Sequence, residues 1–317
     1  MSFSSDIKKE LTTVKVSKKC CQLAQIAGFL RFAGSITLGS GGAGIRLTTD
    51  NPAVLRLFIT LIKDYFGIKG ALSVEDSDQP LSRGKTYGLD ITPEMNSEGI
   101  LRESGILGVR EGFNYYPETL SADIIKKRCC KKAFLRGVFL AAGMATDPAK
   151  SYQLEIACES EILASEMRKL ISNVGLKAKI TRRRNRYVIY MKDAEQISDF
   201  LGLIGCSNEL FRFENMRITK SMRNDANRAL NCENANLQRA VNAAQKQIAD
   251  IRYIEKTKGL DYLKPALRQT AELRVDNPEL PLAELAQLFD PPLAKSSLNN
   301  RLARLSEIAE NLKKQGR

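Results

Sequence analysis

One helix signature occurs twice in this chain, and that duplication constrains the fold of its first two thirds. Lys18-Lys19-Cys20-Cys21 leads into Ile26-Ala27-Gly28-Phe29-Leu30-Arg31-Phe32-Ala33-Gly34. Lys127-Arg128-Cys129-Cys130 leads, at the same spacing, into Leu135-Arg136-Gly137-Val138-Phe139-Leu140-Ala141-Ala142-Gly143. A basic pair, a cysteine pair and two glycines recur in register, which argues for an internal repeat. The correspondence runs on beyond the helix. Ile45-Arg46-Leu47-Thr48-Thr49 matches Tyr152-Gln153-Leu154-Glu155-Ile156, and Pro52 to Gly67 matches Glu159 to Gly175. Leu72-Ser73-Val74 matches Ala178-Lys179-Ile180, and Tyr87-Gly88-Leu89 matches Tyr187-Val188-Ile189.

Each repeat therefore reads as helix, hairpin, helix, hairpin, helix, with short, roughly alternating strands. Asn51 is placed to cap the middle helix of the first repeat, with Pro52 at its first position and Gly67 after its last apolar turn. Ser160 and Gly175 serve the second repeat in the same way. Gly28, Gly34, Gly137 and Gly143 carry no side chain to hold two helices apart. Glycine inside a helix costs about 1 kcal/mol against alanine, so its repetition points to close helix packing. Two such helices along a pseudo-twofold axis would leave their hairpins as one continuous saddle-shaped sheet.

The nine positions Ile26–Gly34 and Leu135–Gly143 resemble the LAGLIDADG homing-endonuclease helix. In that family the eighth position is an acid that holds the catalytic divalent metal. Here the eighth positions are Ala33 and Ala142, and the sixth, Arg31 and Leu140, are not acidic either. A magnesium-dependent nuclease needs hard oxygen ligands, and a methyl group supplies none. The resemblance thus implies a DNA-binding scaffold without the cutting chemistry, with no metal and no cofactor.

A wider set of segments is similar to the WhiA family. These are the Met1-to-Cys21 opening, Ser151-Tyr152-Gln153-Leu154-Glu155-Ile156, Gln196 to Gly205, and Met222-Arg223-Asn224 through Asn227-Arg228 to Asn231-Cys232-Glu233-Asn234-Ala235-Asn236-Leu237. The resemblance implies a bacterial transcription regulator linked to sporulation or cell division. In that family a degenerate homing-endonuclease domain precedes a helix-turn-helix like that of sigma-factor region 4. The expected fold class is α+β: a duplicated LAGLIDADG-like pseudosymmetric αβ saddle over residues 1–207, with repeats at about 18–110 and 127–207. A connecting arm with a long helix follows over 208–258, and an all-α helix-turn-helix domain over 259–317.

Composition agrees. The 317 residues carry a formal net charge of +13, which attracts phosphate polymers or anionic membrane. No apolar run approaches the roughly 20 residues that span a bilayer, and no signal peptide opens the chain. Seven cysteines, an odd number with two adjacent pairs, suit a reducing cytoplasm. There is no histidine, which removes histidine bases, triads and metal ligands together. Cys20, Cys21, Cys129 and Cys130 open the repeated helices, where a thiol packs as a small apolar group. A zinc or iron–sulfur site would require all four to converge.

Three local signals remain. Gly39-Ser40-Gly41-Gly42-Ala43-Gly44 has the G-x-G-x-x-G form, but a strand-like segment follows it instead of a helix, so a hairpin loop is expected in place of a dinucleotide site. Arg182-Arg183-Arg184-Asn185-Arg186 forms a hairpin tip, and Arg182, Arg183, Arg184 and Arg186 are candidate phosphate contacts or a solvated charged turn. Leu282 to Phe289 has helical spacing, and Asp290-Pro291-Pro292 forces a turn. A second helix runs from about Lys295 through Asn311, with Leu298, Leu302, Leu305 and Ala309 as its apolar stripe and Ile308 beside it. Lys295, Ser296, Ser297, Asn300, Arg301 and Arg304 are the candidate DNA-reading residues of that helix.

Between the halves, Phe211 to Tyr253 carries Arg212, Arg217, Lys220, Arg223 and Arg228. Asn236 to Tyr253 reads as a long helix ending near Gly259, and Tyr262 to Arg274 as a supporting helix closed by Asn277-Pro278. The expected function is non-catalytic, sequence-specific binding of double-stranded DNA in the bacterial cytoplasm, on the nucleoid. RNA polymerase or another regulator is a further candidate partner. Two alternatives stay open: an adaptor of the division or transcription machinery, and a nuclease using carboxylates outside the motif, such as Asp50 or Asp147.

Overall fold

The computed structural model describes residues 2–39, 42–68, 71–76 and 85–315. They divide into two compact units, 1–221 and 222–317. The first opens with α1 (Phe3–Leu11), capped by the Ser2 side chain, and then carries the two repeats. Repeat one is α2 (Lys19–Ala33), β1 (Gly34–Gly39), β2 (Gly42–Thr49), α3 (Pro52–Phe66), β3 (Ala71–Asp76), β4 (Lys85–Ile91) and α4 (Ser97–Glu103). A small hairpin, β5 (Gly108–Arg110) and β6 (Phe113–Tyr115), connects them. Repeat two is α5 (Arg128–Ala142), β7 (Gly143–Ala145), β8 (Leu154–Cys158), α6 (Glu161–Ser172), β9 (Lys179–Arg183), β10 (Arg186–Met191) and α7 (Ala194–Ile204). The expected alternation of helix and hairpin is present in both.

The caps form as the sequence indicates. Asn51 accepts a hydrogen bond from the Ala53 N–H at 3.0 Å, and Ser160 from the Leu163 N–H at 3.4 Å. Gly67 ends α3 with φ 73°. α6 stops at Ser172, and Gly175, at φ 92°, turns the chain three residues on.

α2 and α5 form the main helix–helix interface of this unit. Gly28 and Gly137 sit where they cross. A Cβ on Gly28 would stand 2.3 Å from the Phe134 carbonyl oxygen, and one on Gly137 2.2 Å from that of Gln25. The other two repeated glycines do something different from what the sequence suggests. Gly34 and Gly143 have extended backbone and begin β1 and β7, and the space a Cβ would need there is filled by Leu30 and Phe139 of their own helices. They mark the switch from helix to strand and do not serve the crossing.

The hairpins make two four-stranded antiparallel sheets, in the orders β1-β2-β4-β3 and β7-β8-β10-β9. They do not join into one hydrogen-bonded sheet as expected. One reason lies at the edge of β7. The Ser4 hydroxyl donates to the Ala145 carbonyl at 2.8 Å and accepts from the Ala145 N–H at 2.7 Å, so α1 already satisfies groups an edge strand leaves open. The glycine-rich segment is the β1–β2 hairpin, pairing Gly39 with Gly42 and Leu38 with Ala43; Ser40 and Gly41 lie outside the described residues.

α8 (Ser207–Lys258) is a single helix of 52 residues, starting far earlier than the segment read as helical from Asn236. No glycine or proline interrupts those positions, and continuous backbone bonding outweighs the sparse apolar pattern. Glu10 receives its N-terminus: the carboxylate accepts from the N–H groups of Asn208 at 2.7 Å and Glu209 at 2.9 Å, and from the Cys206 thiol at 3.0 Å. The second unit continues with α9 (Pro265–Asp276), the single-turn α10 (Leu282–Leu285) with a 3₁₀ turn through Leu288, and α11 (Lys295–Gln315). Buried Ile251, Ile254, Leu285, Phe289, Leu298, Leu302, Leu305 and Ala309 form its core. Buried Arg274 closes α9 by donating to the carbonyls of Leu280 at 2.7 Å and Pro278 at 3.1 Å.

Candidate nucleic-acid interface

α11 is built on a strict division of faces. Leu298, Leu302, Leu305, Ala309 and Leu312 are buried, as the apolar stripe requires, and the helix continues past Asn311 to Gln315. Phe289 plugs the turn before it, so the stretch from Leu282 is one α turn and a 3₁₀ turn, shorter than its spacing suggests. Lys295, Ser296, Ser297, Asn300 and Arg304 are exposed; Ser296, Asn300 and Arg304 face away from the stripe, while Lys295 opens the helix at its edge. Asn299 is exposed as well and belongs with them, although the spacing argument passed over it.

Arg301 stands apart. It lies one residue before Leu302 and four before Leu305, on the flank of the buried stripe, and is only half-exposed. Its guanidinium sits 5.7 Å from the centre of the Phe289 ring and donates to the Ala266 carbonyl at 3.5 Å. Arg304 points outward and pairs with Glu307 at 2.5 Å. Glu307 places a carboxylate on the exposed face, so the stretch suited to a polyanion is Lys295 to Arg304.

The arginine-rich segment is a hairpin tip, as expected. Arg183 pairs with Arg186 across the turn and Arg182 with Tyr187. The repulsion among these charges is relieved within the protein: Arg183 forms an ion pair with Glu155 at 2.7 Å, and the Arg182 guanidinium lies 5.8 Å from the centre of the Tyr187 ring. All four arginines are exposed. They belong to the first unit and the α11 residues to the second.

Ala33 and Ala142 end α2 and α5 and line one groove, together with Lys8, Asp50, Glu118, Asp147, Lys150 and Arg186. Burial lowers the pKa of Lys8, and the nearby Asp50 charge offsets part of that shift. Asp147 accepts from the Ala149 N–H at 2.9 Å and shapes a turn. Arg31, the sixth motif position, donates to the backbone oxygens of Pro117 and Thr119, which makes it a structural strut. Among the described residues, one group of three or more potential metal ligands is placed together, and it is not in this groove. It is Cys20, Cys21, Cys129 and Cys130, whose Sγ atoms all lie within 4.8 Å of one another. The reading of these thiols as small apolar groups fits buried Cys21 and Cys130, and the convergence that a metal site requires is present as well.

On the arm, Arg212 pairs with Asp6 at 3.1 Å and Arg217 with Glu214 at 3.3 Å, while the Lys220 ammonium lies 5.0 Å from the centre of the Tyr152 ring. These cations are engaged by the first unit. No helix among the described residues is long and apolar enough to cross a membrane.

Three family profiles match the chain: the WhiA N-terminal LAGLIDADG-like domain over residues 19–107, the WhiA LAGLIDADG-like domain over 131–223, and the WhiA C-terminal HTH domain over 226–309. A "probable cell division protein WhiA" of Clostridium perfringens (strain 13 / Type A) is 39% identical over 314 residues, covering 99% of both chains. The similarly named protein of Thermoanaerobacter sp. (strain X514) is 40% identical over 314 residues, covering 99% of this chain and 98% of its own. The crystal structure of full-length DUF199/WhiA from Thermatoga maritima is 26% identical and superposes with a TM-score of 0.60, covering 98% of this chain and 99% of that one. Paired LAGLIDADG-like repeats, a helix-turn-helix segment and end-to-end similarity to these relatives place this chain in the WhiA family.

Proposed function

We propose that this protein is a non-catalytic, sequence-specific DNA-binding regulator acting in cell division or sporulation. The observation that carries the reading is the N-terminal half of α11. Lys295, Ser296, Ser297, Asn300 and Arg304 form an exposed polar face over a fully packed stripe, within the segment that matches a helix-turn-helix profile. Such a face offers guanidinium contacts to guanine and amide contacts to adenine in the major groove. The hairpin of Arg182, Arg183, Arg184 and Arg186 adds about two phosphate contacts from the first unit, since Arg183 is paired with Glu155 and Arg182 lies over Tyr187; such contacts position DNA without reading it. Residues 208–258 act as the arm between the saddle, 1–207, and the reader, 259–317. Linking two weak modules raises avidity through effective concentration. The alanine methyls at Ala33 and Ala142 support the absence of cutting.

The test is binding of the purified full chain to genomic DNA fragments across a salt series with magnesium present. Intact fragments, enrichment of particular sequences and steep salt dependence support the reading. About 6–10 phosphate contacts would cost roughly 10³–10⁵ in affinity between 50 and 200 mM salt. Cut fragments would mean a nuclease site elsewhere.

A second reading, a protein-binding adaptor, rests on Met222, Leu230, Leu237 and Val241, which are apolar and exposed along α8 in the second unit. It predicts a partner retained after nuclease treatment and no sequence enrichment.

A further inference from the structure

The pseudo-twofold crossing at Gly28 and Gly137 aligns α2 and α5 so that their N-terminal turns meet. Cys20 and Cys21 occupy the first turn of one helix, and Cys129 and Cys130 the first turn of the other. All four Sγ atoms lie within 4.8 Å of one another, and the Cys129 and Cys130 sulfurs are 4.0 Å apart. Tetrahedral coordination with zinc–sulfur bonds of about 2.3 Å sets sulfur–sulfur edges of about 3.8 Å. The cluster would therefore need to contract by less than about 1 Å to take an ion of that size. A cubane iron–sulfur cluster joins each thiolate to a different iron and calls for a wider set of sulfurs.

The charge environment suits thiolates. Neither first turn contains an acid, and Lys18, Lys19, Lys127 and Arg128 flank the four cysteines. Both helix N-termini point their partial positive charge at the same place. Four thiolates around a divalent ion carry a net double negative charge, which those cations and dipoles offset. Cys21 and Cys130 are buried, while Cys20 and Cys129 are half-buried, so an ion would have an inner wall and a route in.

We propose that Cys20, Cys21, Cys129 and Cys130 form a tetrathiolate site for one tetrahedral divalent ion of the zinc class, which clamps the two repeats together at their helix N-termini. Soft thiolate donors in a tetrahedral S₄ arrangement select zinc or ferrous iron over magnesium or calcium. The ion takes no part in DNA chemistry: it lies at the opposite end of the helices from Ala33 and Ala142. A cysteine binds such an ion as its thiolate, so loading releases protons.

The experiment is cobalt(II) titration of the reduced full-length chain without oxygen, followed by displacement with zinc. Expected are sulfur-to-cobalt charge-transfer bands and intense tetrahedral ligand-field bands that saturate at one equivalent and disappear on adding zinc. Zinc should also protect four thiols from alkylation, mapped by mass spectrometry to Cys20, Cys21, Cys129 and Cys130. That measurement needs no variant. The double variant Cys20→Ser/Cys129→Ser should lose the bands with its circular dichroism unchanged, and Cys158→Ser/Cys232→Ser should keep them. The proposal is overturned by the absence of thiolate bands at one equivalent, by their survival in Cys20→Ser/Cys129→Ser, or by a disulfide within the cluster of protein isolated without oxygen.

Discussion

Gly137 of α5 lies so close to Gln25 of α2 that a Cβ there would stand 2.2 Å from the Gln25 backbone oxygen, and Gly28 meets Phe134 in the mirrored way at 2.3 Å. Each neighbour is backbone inside a packed helix, which cannot swing aside as a side chain would. The crossing is thus set by two missing methyl groups.

Gly137→Ala and Gly28→Ala should each destabilise the first unit. Alanine gains about 1 kcal/mol of helix propensity, but forcing the helices apart costs typically 1–3 kcal/mol, occasionally more. Gly202, inside α7, is the control: a Cβ there meets only Leu210 Cδ2, at 3.5 Å. Gly202→Ala should be neutral or stabilising. Urea unfolding of the three variants decides, and equal effects at all three sites would remove the close-approach argument.

Glu10 should make stability depend on pH. Burial raises its pKa, but hydrogen bonds from the Cys206 thiol and from the N–H groups of Asn208, Glu209 and Ser207 outweigh burial, and the net shift is downward. A carboxyl with a depressed folded pKa stabilises above its unfolded value, about 4.3, and loses that contribution as pH falls through the folded value. Glu10→Gln should cost about 1–2 kcal/mol at neutral pH, towards the low side for charged hydrogen bonds because the carboxylate is only partly buried. The gap between wild type and variant should close in acid. A gap that stays constant down to pH 3 would show that the charge is not what matters.

The two arginines of α11 should separate. Arg304→Ala removes an exposed side chain and should leave stability within about 0.5 kcal/mol while relaxing discrimination between sites by about 1–3 kcal/mol. Arg301→Ala also removes the contacts to Phe289 and Ala266, so it should lower the melting temperature of the second unit. Equal loss on selected and unrelated DNA in Arg304→Ala would rule out base reading by that residue.

At the β9–β10 tip, Arg183 is held by Glu155 and Arg182 by Tyr187. Changing Arg182, Arg183, Arg184 and Arg186 together to alanine should therefore lower the salt slope of DNA binding by about 2, as if two phosphate contacts were lost, and should leave the preferred sequence unchanged. An unchanged slope would take this hairpin out of the interface.

Much of this protein is legible in its sequence because repetition and periodicity are local. The doubled motif, the caps at Asn51 and Ser160 and the α11 stripe are each written within one turn or one strand of chain. Residue identity alone also settles that the eighth motif positions, Ala33 and Ala142, offer no metal ligand. What the sequence left open depends on groups far apart in the chain. Gly34 and Gly143 look like Gly28 and Gly137 in the motif, yet one pair starts strands and the other permits the helix crossing. Arg301 and Arg304 look alike in type, yet Phe289 engages only the first. Ser4 reaches Ala145 at the edge of β7, and Glu10 receives the start of α8. Cys20 and Cys21 lie over a hundred residues from Cys129 and Cys130, and only the crossing of α2 and α5 brings the four sulfurs to one point. Local pattern follows from bonded neighbours and helical or strand period; convergence follows from packing, which no short window of sequence contains.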